Sequence, residues 1–141
     1  KNSRNYKFIK VDIVNKEKIT KIIRKYKPKA IFNLAAETHV DRSIDGPYNF
    51  IQTNINGTFS LLESLRFLKK KKINPKLVHI STDEVYGDIK KSKRSDENFK
   101  YNPSSPYSAS KASADHLVKS YIRTYKLIKI DIINKKKIIT R

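Results

Sequence analysis

With 141 residues, the chain can bury one hydrophobic core but not the cores of two ordinary domains. It has no cysteine, which excludes disulfides, thiolate metal sites and a cysteine nucleophile, and no methionine, from which we expect a piece of a longer chain. Lysine and arginine outnumber acidic residues by 32 to 13, and the resulting formal charge of +19 favours contact with polyanions.

The first part of the chain predicts a strand, a helix and a second strand. Residues 6–14 (YKFIKVDIV) alternate apolar and polar types and are rich in β-formers, which predicts a strand. Within 16–27, three isoleucines and Tyr26 recur at helical spacing, and Pro28 ends the predicted helix. Residues 30–36 (AIFNLAA) then predict a short buried strand.

The rest of the chain repeats this pattern. We predict a helix at 48–68, a strand at 76–82 (KLVHIST), a long loop at 83–105, a helix at 106–125 and a strand at 127–133. The order β-α-β-α-β-α-β predicts an α/β fold with a doubly wound parallel sheet. Ligands bind beyond the carboxyl ends of the strands in such sheets, so the residues that follow each strand are the first candidates for a site.

Tyr107 and Lys111, in the stretch SPYSASK, lie one turn apart on one face of the last predicted helix. A nearby ammonium group lowers the pKa of a phenol from about 10 toward neutrality. A tyrosine tuned in this way can remove a proton from a substrate hydroxyl. The same spacing is common by chance, so an ordinary helix is the alternative.

The stretch STDEVYG places Thr82, Asp83 and Glu84 at the carboxyl end of a predicted strand. Neighbouring carboxyl groups in different environments can split their pKa values, which provides one acid and one base. The alternative is a solvated turn in which Asp83 caps a neighbouring element. Because the chain has only 13 acidic residues, two of them together at this place favour a functional interpretation.

A third cluster, FNLAAETHVDRS, follows the strand that begins at residue 30. The small side chains of Ala35 and Ala36 let the backbone approach a flat or phosphorylated ligand. His39 is a candidate catalytic residue, although a lone histidine is more often structural. His79, within a strand, and His116, on a helix, favour structural roles.

Four segments, LAAETHVDRSIDGP, FIQTNINGT, STDEVYG and SPYSASKASADHLV, together resemble the extended short-chain dehydrogenase/reductase family. Within that family the chain most resembles the nucleotide-sugar 4,6-dehydratases that act on dTDP-glucose, because related epimerases and decarboxylases usually lack the Asp-Glu pair. The resemblance runs from about Asp12 to Leu127. It implies one partial, Rossmann-like NAD-binding domain over 1–141, without the family's first two strands, glycine-rich turn and substrate domain. In the family's strand order, the strand at 6–14 would lose its neighbours, whereas the other three strands would form a contiguous half-sheet.

The resemblance also implies a redox-neutral dehydration that uses NAD. Tyr107, assisted by Lys111, would take the proton of the sugar's 4-hydroxyl. Glu84 would remove the C5 proton, and Asp83 would protonate the departing 6-hydroxyl. Thr82 would hydrogen-bond the 4-oxygen.

The same resemblance assigns cofactor and substrate contacts. Threonine replaces the usual serine at position 38, which keeps the hydroxyl, and Thr38 and Thr82 are the implied substrate contacts. We expect no metal. The implied NAD contacts are Asp12, Ile13, Leu34, Ala35, Ala36, Glu37, Thr38, Thr53, Tyr107 and Lys111.

The expected partners are a nucleotide-sugar substrate and a second copy of the chain, which would pair through 48–68 and 106–125. The lysines are scattered among isoleucines and asparagines, as in the product of an A/T-rich gene, so we expect no specific nucleic acid. No run of 18 apolar residues or apolar leader occurs, so we expect no membrane contact and a cytoplasmic location. The alternatives are an inactive remnant or partial record of such an enzyme, another nucleotide-sugar dehydratase or epimerase, and a basic polyanion-binding module.

Overall fold

The computed structural model describes residues 6–88, 96, 98–127 and 130–133. Its strands are β1 (Ala30–Asn33), β2 (Lys76–Ile80) and β3 (Ile130–Ile133). Its helices are α1 (Lys16–Tyr26), α2 (Val40–Asp45), α3 (Tyr48–Phe50), α4 (Thr58–Lys69) and α5 (Pro106–Tyr125). A π-helical stretch, Ile51–Gly57, joins α3 to α4, and a short 3-10 helix, Asp83–Tyr86, follows β2. None of the helices in the described ranges is long and apolar enough to cross a membrane.

The three strands form one sheet in the order β1-β2-β3, and both neighbouring pairs are parallel. Ile31 lies opposite Leu77, and Asn33 lies opposite His79. Helical crossovers join successive strands, which is the connection that parallel pairing requires. The predicted contiguous half-sheet and the partial Rossmann-like α/β fold are therefore confirmed.

The two helices with the clearest sequence signals begin and end close to their predicted limits. The Asn15 side chain caps α1 by accepting a hydrogen bond from the backbone N–H of Lys18 at 3.0 Å. Helix α5 starts with a capping box between Ser105 and Ser108, and Pro106 occupies its first turn. These local contacts explain why both helices could be predicted from sequence.

The hydrophobic core lies between one face of the sheet and helices α1, α4 and α5. Leu62 and Leu77 are fully buried in it, and Ile31 of β1 packs against it. On the opposite face of the sheet, Phe32 is 64% exposed. The buried members of this core are Ile23, Leu61, Leu62, Leu65, Leu68, Leu77, Val118, Tyr121 and Leu127.

The strand predicted at 6–14 is wrong, because residues 6–12 have no regular secondary structure. A strand needs a hydrogen-bonded neighbour, and the described part of the chain places none beside this segment. It lies against α1 instead, where the Lys7 ammonium is 5.6 Å from the centre of the Tyr26 ring. The alternation of apolar and polar residues in this segment is typical of a strand, but it does not provide a neighbouring strand with which the segment could pair.

Other boundaries differ at the carboxyl ends of the strands. The strand predicted at 30–36 ends at Asn33, and that predicted at 76–82 ends at Ile80, since the chain leaves the sheet there. The short helix α2 was not predicted. Part of the predicted loop and of the last predicted strand, at 89–95, 97 and 128–129, lies outside the described residues, as does the chain after Ile133.

Candidate active site

Helix α5 lies along the carboxyl end of β2 and brings two of the predicted clusters together. The Lys111 ammonium donates a hydrogen bond to the backbone carbonyl of Ile80 at 2.6 Å. The Tyr107 hydroxyl lies close enough to the Thr82 side chain for Thr82 to lower the pKa of Tyr107. Tyr107 and Lys111 are both buried, at 6% and 5% exposure, so their polar ends are held at this place rather than in solvent.

The pKa of Tyr107 is raised, whereas the sequence had predicted a lowered value. Burial is the largest cause, and the charges of Glu84 and Asp83 raise the pKa further, while the hydrogen bond with Thr82 opposes them. Lys111 is not among the groups that shift the pKa of Tyr107; its ammonium group points at the Ile80 carbonyl. The same data show that both carboxylates of STDEVYG are close enough to Tyr107 to act on its charge.

The pKa of Lys111 is lowered, mainly because burial disfavours the ammonium form. The charge of Asp115, one turn later in α5, acts in the opposite direction. A buried cation with a lowered pKa beside a buried tyrosine is an arrangement that occurs more often in functional sites than on ordinary helices.

The acidic turn is shaped by its first and last residues. The Thr82 hydroxyl accepts a hydrogen bond from the Glu84 backbone N–H at 3.3 Å and caps the 3-10 helix. The turn ends at Gly87, whose φ of 72° falls in the left-handed region. Asp83 is partly buried and Glu84 is exposed, so the two adjacent residues differ in their contact with solvent.

Asn54 is a site residue that the sequence analysis missed. It lies in the π-helical stretch, and its side chain both accepts from the Glu37 N–H, at 2.9 Å, and donates to the Glu37 carbonyl, at 3.0 Å. It also donates to the Ser110 hydroxyl at 2.8 Å, which in turn donates to the Tyr107 carbonyl at 2.7 Å. Asn54 thus joins the loop after β1 to the helix that carries Tyr107. The signal for it was its place beside Thr53 in FIQTNINGT.

Ser43 is a second residue that was missed. Its fully buried hydroxyl accepts a hydrogen bond from the Tyr107 backbone N–H at 3.1 Å and donates to the Val40 carbonyl at 2.6 Å. One free N–H group in the first turn of α5 is therefore satisfied by α2. Since α2 itself was not predicted, the sequence offered no means of finding this contact.

The predicted cofactor residues of the loop after β1 follow the carboxyl end of that strand. Leu34 is 69% exposed, and Ala35 and Thr38 are also exposed, whereas Ala36 and Glu37 are partly buried. This exposed loop is joined to α5 through Asn54. The predicted NAD contacts there stay predictions.

The other predicted NAD contacts have structural roles of their own. The Asp12 carboxylate accepts a hydrogen bond from the Val14 N–H at 3.0 Å. Ile13 packs against Gly57 so closely that a Cβ at position 57 would lie 2.5 Å from its Cγ2 atom. Thr53 is partly buried in the π-helical stretch. The structure shows no direct contact between these residues and Tyr107, and their NAD contacts also stay predictions.

The histidines differ from one another in environment. His39 is exposed and precedes α2 without capping it through its side chain. His116 lies against the Tyr101 ring, with 5.1 Å between ring centres. His79 is 99% buried and belongs to a polar network between the sheet and α5.

A family model described as "GDP-mannose 4,6 dehydratase" matches residues 1–136. The chain belongs to this family. The predicted membership among nucleotide-sugar 4,6-dehydratases is thereby confirmed.

Curated relatives carry related names. The chain is 50% identical over 132 residues to dTDP-glucose 4,6-dehydratase of Haemophilus influenzae, covering 89% of this chain and 39% of that protein. It is 49% identical over 139 residues to the dTDP-glucose 4,6-dehydratase of Salmonella typhimurium, covering 89% and 38%. The chain thus spans 38–39% of the length of these relatives.

Solved structures share the fold. DesIV of Streptomyces venezuelae, a dTDP-glucose 4,6-dehydratase crystallised with NAD bound, matches with a TM-score of 0.84 at 38% identity, over 94% of this chain and 38% of that chain. UDP-glucose 4-epimerase of Brucella ovis, in complex with NAD, matches with a TM-score of 0.80 at 25% identity, over 93% and 38%. The family fold therefore serves both dehydratases and epimerases.

Proposed function

We propose that this chain carries the catalytic part of an NAD-dependent dTDP-glucose 4,6-dehydratase. The observation that carries the proposal is the meeting of Tyr107 and Thr82 beside two carboxylates that both act on the Tyr107 charge. In this proposal the 141 residues form one NAD-binding unit of a longer enzyme, as their share of the relatives' length suggests.

The acidic pair favours a dehydratase over an epimerase. Epimerisation at C4 needs one base at the 4-oxygen, whereas loss of water across C5 and C6 needs a second base and an acid. Asp83 and Glu84 provide those two groups in different environments, at the end of β2. The dTDP-glucose named for the bacterial relatives is the substrate that we propose here as well.

Each residue of the site then has a separate task. Tyr107 takes the proton of the 4-hydroxyl, assisted by Lys111 on the same helix face. Thr82 hydrogen-bonds the same oxygen. Once C4 is a ketone its neighbour C5 is acidic, so Glu84 removes the C5 proton, and Asp83 protonates the 6-hydroxyl, which leaves as water.

The residues present fit the nicotinamide end of NAD better than its pyrophosphate. The polar groups of Tyr107 and Lys111 meet at the end of β2, next to the exposed loop after β1. The three glycines of the chain, at positions 46, 57 and 87, are too far apart to form a glycine-rich pyrophosphate turn. Bound NAD would accept hydride from C4 of the sugar and return it at C6, while C5 regains a proton, so that the reaction removes one water and is redox-neutral overall.

The first experiment is a circular-dichroism melt of the chain at increasing NAD concentration. We expect a cooperative transition whose midpoint rises with NAD, by the equivalent of about 2.7 kcal/mol at a hundredfold excess over Kd. Lys111→Ala should weaken this response, whereas Arg123→Ala, at an exposed cation in the last turn of the same helix, should leave it unchanged. A cooperative transition that ignores NAD would contradict cofactor binding by these residues.

The second experiment follows dTDP-glucose in D2O by proton NMR, with NAD added. A dehydratase converts the C6 methylene into a methyl group and exchanges the C5 proton for deuterium. Glu84→Gln should abolish both changes, because it removes the base at C5 but leaves Tyr107 in place. Asp88→Asn provides a matched control outside the proposed machinery. Epimerisation at C4 without a methyl signal would favour the epimerase alternative.

The proposal also includes a homodimer through the helices at 48–68 and 106–125. Four large side chains of these segments are 41–45% exposed: Ile51, Phe59, Phe67 and Tyr125. Light scattering tests the pairing, and Phe59→Glu should shift a dimer toward monomer. The cytoplasmic location expected from the sequence stays part of the proposal, in keeping with the absence of cysteine.

A further inference from the structure

A buried carboxylate that has no part in the proposed chemistry lies next to the site. Asp115 of α5 is fully buried. Its Oδ2 atom accepts hydrogen bonds from the Ser81 hydroxyl, at 2.5 Å, and from the Tyr101 hydroxyl, at 2.9 Å. Burying a carboxylate is costly unless strong hydrogen bonds compensate it, so a serine or alanine would be the cheaper choice at a purely structural position.

The second oxygen of Asp115 faces the sheet. Its Oδ1 atom lies 3.4 Å from Nε2 of His79, and neither atom has a hydrogen-bond partner within the described residues. On the other side of the ring, the Asn33 amide is 3.1 Å from Nδ1 of His79. Donation by the amide nitrogen leaves the ring proton on Nε2, the ring nitrogen that lies near Asp115. The network therefore runs from β1 through β2 to α5.

The position of Asp115 links it to every part of the proposed site. Ser81 directly precedes Thr82, so the carboxylate holds the strand end one residue before the predicted catalytic turn. Along α5, Asp115 lies one turn after Lys111 and two turns after Tyr107. Because α5 is a continuous helix of 20 residues, a contact at one turn sets the rotation and height of the turns before it.

We propose that Asp115 is a positioning residue, which sets α5 against the carboxyl end of β2 so that Tyr107 and Lys111 face Thr82. The Ser81 contact sets the position of α5 along its own axis, and the His79 contact sets the rotation of α5 relative to the sheet. Tyr101 joins the end of the long loop to this network, because it donates to Asp115 and its ring packs on the Tyr86 ring, with 5.4 Å between ring centres. The inference rests on the proposed function only in naming what these placed residues do.

The charge of Asp115 has a second effect, on Lys111. It opposes the burial that lowers the pKa of Lys111 and so supports the ammonium form. A neutral residue of the same shape would keep the space filled but lose this support. Asp115→Asn therefore separates the charge of the side chain from its volume.

The test uses NMR on the whole 141-residue chain, whose mass of 16.4 kDa suits side-chain assignment. The first readout is the nuclear Overhauser effect between the Thr82 methyl and the Tyr107 ring. The second is the pH titration of the Lys111 Cε carbon. Neither readout needs bound NAD or turnover, so failure of the proposed function leaves both of them informative.

In Asp115→Asn we expect the Thr82–Tyr107 effect to be lost and the Lys111 titration to move to lower pH. Where wild type binds NAD, affinity should fall about tenfold, as for the loss of one charge-assisted hydrogen bond. The matched control is Ser113→Ala on the exposed side of α5, where the hydroxyl bonds only the Ala109 carbonyl of its own helix. The control should behave as wild type in all three measurements.

A folded Asp115→Asn variant with both NMR readouts unchanged would overturn the proposal, whatever its melting temperature. If that variant does not fold, Ser81→Ala decides, because it removes one donor and keeps the buried carboxylate with Tyr101. Loss of the Thr82–Tyr107 effect in Ser81→Ala supports the positioning role, and its retention overturns it. If the variants bind NAD and both NMR readouts are unchanged, the positioning role of Asp115 is overturned, whereas the proposed function is not contradicted.

Discussion

At the carboxyl end of β2, every strand residue from Leu77 to His79 is buried, and α5 holds the following residues by hydrogen bonds. At β1, an edge strand of the sheet, Phe32 is 64% exposed, and no described strand pairs with the side of β1 that faces away from β2. The first region takes these contacts from residues 31 and 34 positions away, both within the described part of the chain. The second needs a neighbour that the described residues do not provide, and unpaired edges of this kind favour association.

The packing of side chains also differs between the region beside β1 and the region beside β2. A largely apolar cavity of about 350 Å³ opens between residues 6–12, α1 and β1. By comparison, the core between α4 and β2 contains several side chains with no exposed surface. The molecule therefore has a closed half, which holds the site, and an open half. The residues that line the cavity are Lys7, Ile9, Ile19, Ile22, Ile23, Tyr26, Pro28, Ile31 and Leu61.

The largest effect should come from damage to the closed half. Leu62 of α4 is fully buried, so Leu62→Ala leaves a cavity and should lower the free energy of unfolding by about 2–5 kcal/mol. Urea unfolding followed by circular dichroism measures the loss. Ile44→Ala, at a side chain that is 65% exposed, is the matched control. Equal losses in the two variants would show that the closed half is not well packed.

The next effect concerns the turn after β2. Gly87 has φ of 72°, and a Cβ atom there would overlap the Asn102 backbone oxygen. Gly87→Ala should therefore cost about 1–3 kcal/mol in stability and displace the acidic turn. The same unfolding measurement tests it, with Gly46→Ala as control because a Cβ there meets nothing closer than 3.9 Å. Similar stability of both variants would contradict the strained turn.

A smaller effect on stability, which depends on pH, should come from the ion pair between Glu63 and Arg66 on α4. Arg66 lowers the pKa of Glu63 from 4.5 to about 2, with help from a hydrogen bond donated by Tyr121. Because the folded pKa is lowered, the stabilisation is complete above about pH 4.5 and is lost as pH falls toward 2. Glu63→Gln should cost about 1 kcal/mol near neutral pH and less at pH 3.

Urea titrations of wild type and Glu63→Gln at the two pH values give this difference directly. Glu17→Gln, at an exposed residue in the first turn of α1, controls for the loss of one negative charge. A stability difference between wild type and Glu63→Gln that is the same at both pH values would contradict the assignment.

The smallest effect on stability should come from the open edge. Phe32→Thr changes an exposed side chain of a β-strand into another β-former, so the free energy of unfolding should change by no more than about 0.5 kcal/mol. Self-association should decrease, because the exposed face of β1 loses an apolar side chain. Light scattering at increasing concentration checks the second result. A large loss of stability would show that Phe32 is covered and that the edge is not open.

The predictions from sequence succeeded where the determining contacts are local. Helix α5 was predicted over its full length, because the capping residue, the proline and the apolar stripe all lie within it. The strand at 6–14 failed, since strand formation depends on a distant partner. Tyr107, Lys111 and Thr82 were found as candidates through their motifs, but Asn54 and Asp115 were not, since their importance comes from residues 17 and 34 positions away.

By itself, the sequence determined the class of fold and the motif residues of the site, since periodicity and short motifs are local properties of a chain. The order of the three parallel strands came from the resemblance to the family. Tertiary structure alone decided the pKa direction of Tyr107 and the occupation of the Lys111 ammonium by the Ile80 carbonyl. It also decided the burial of Asp115. These properties depend on which groups meet after folding and on how much water remains between them, and neither can be read from spacing along the chain.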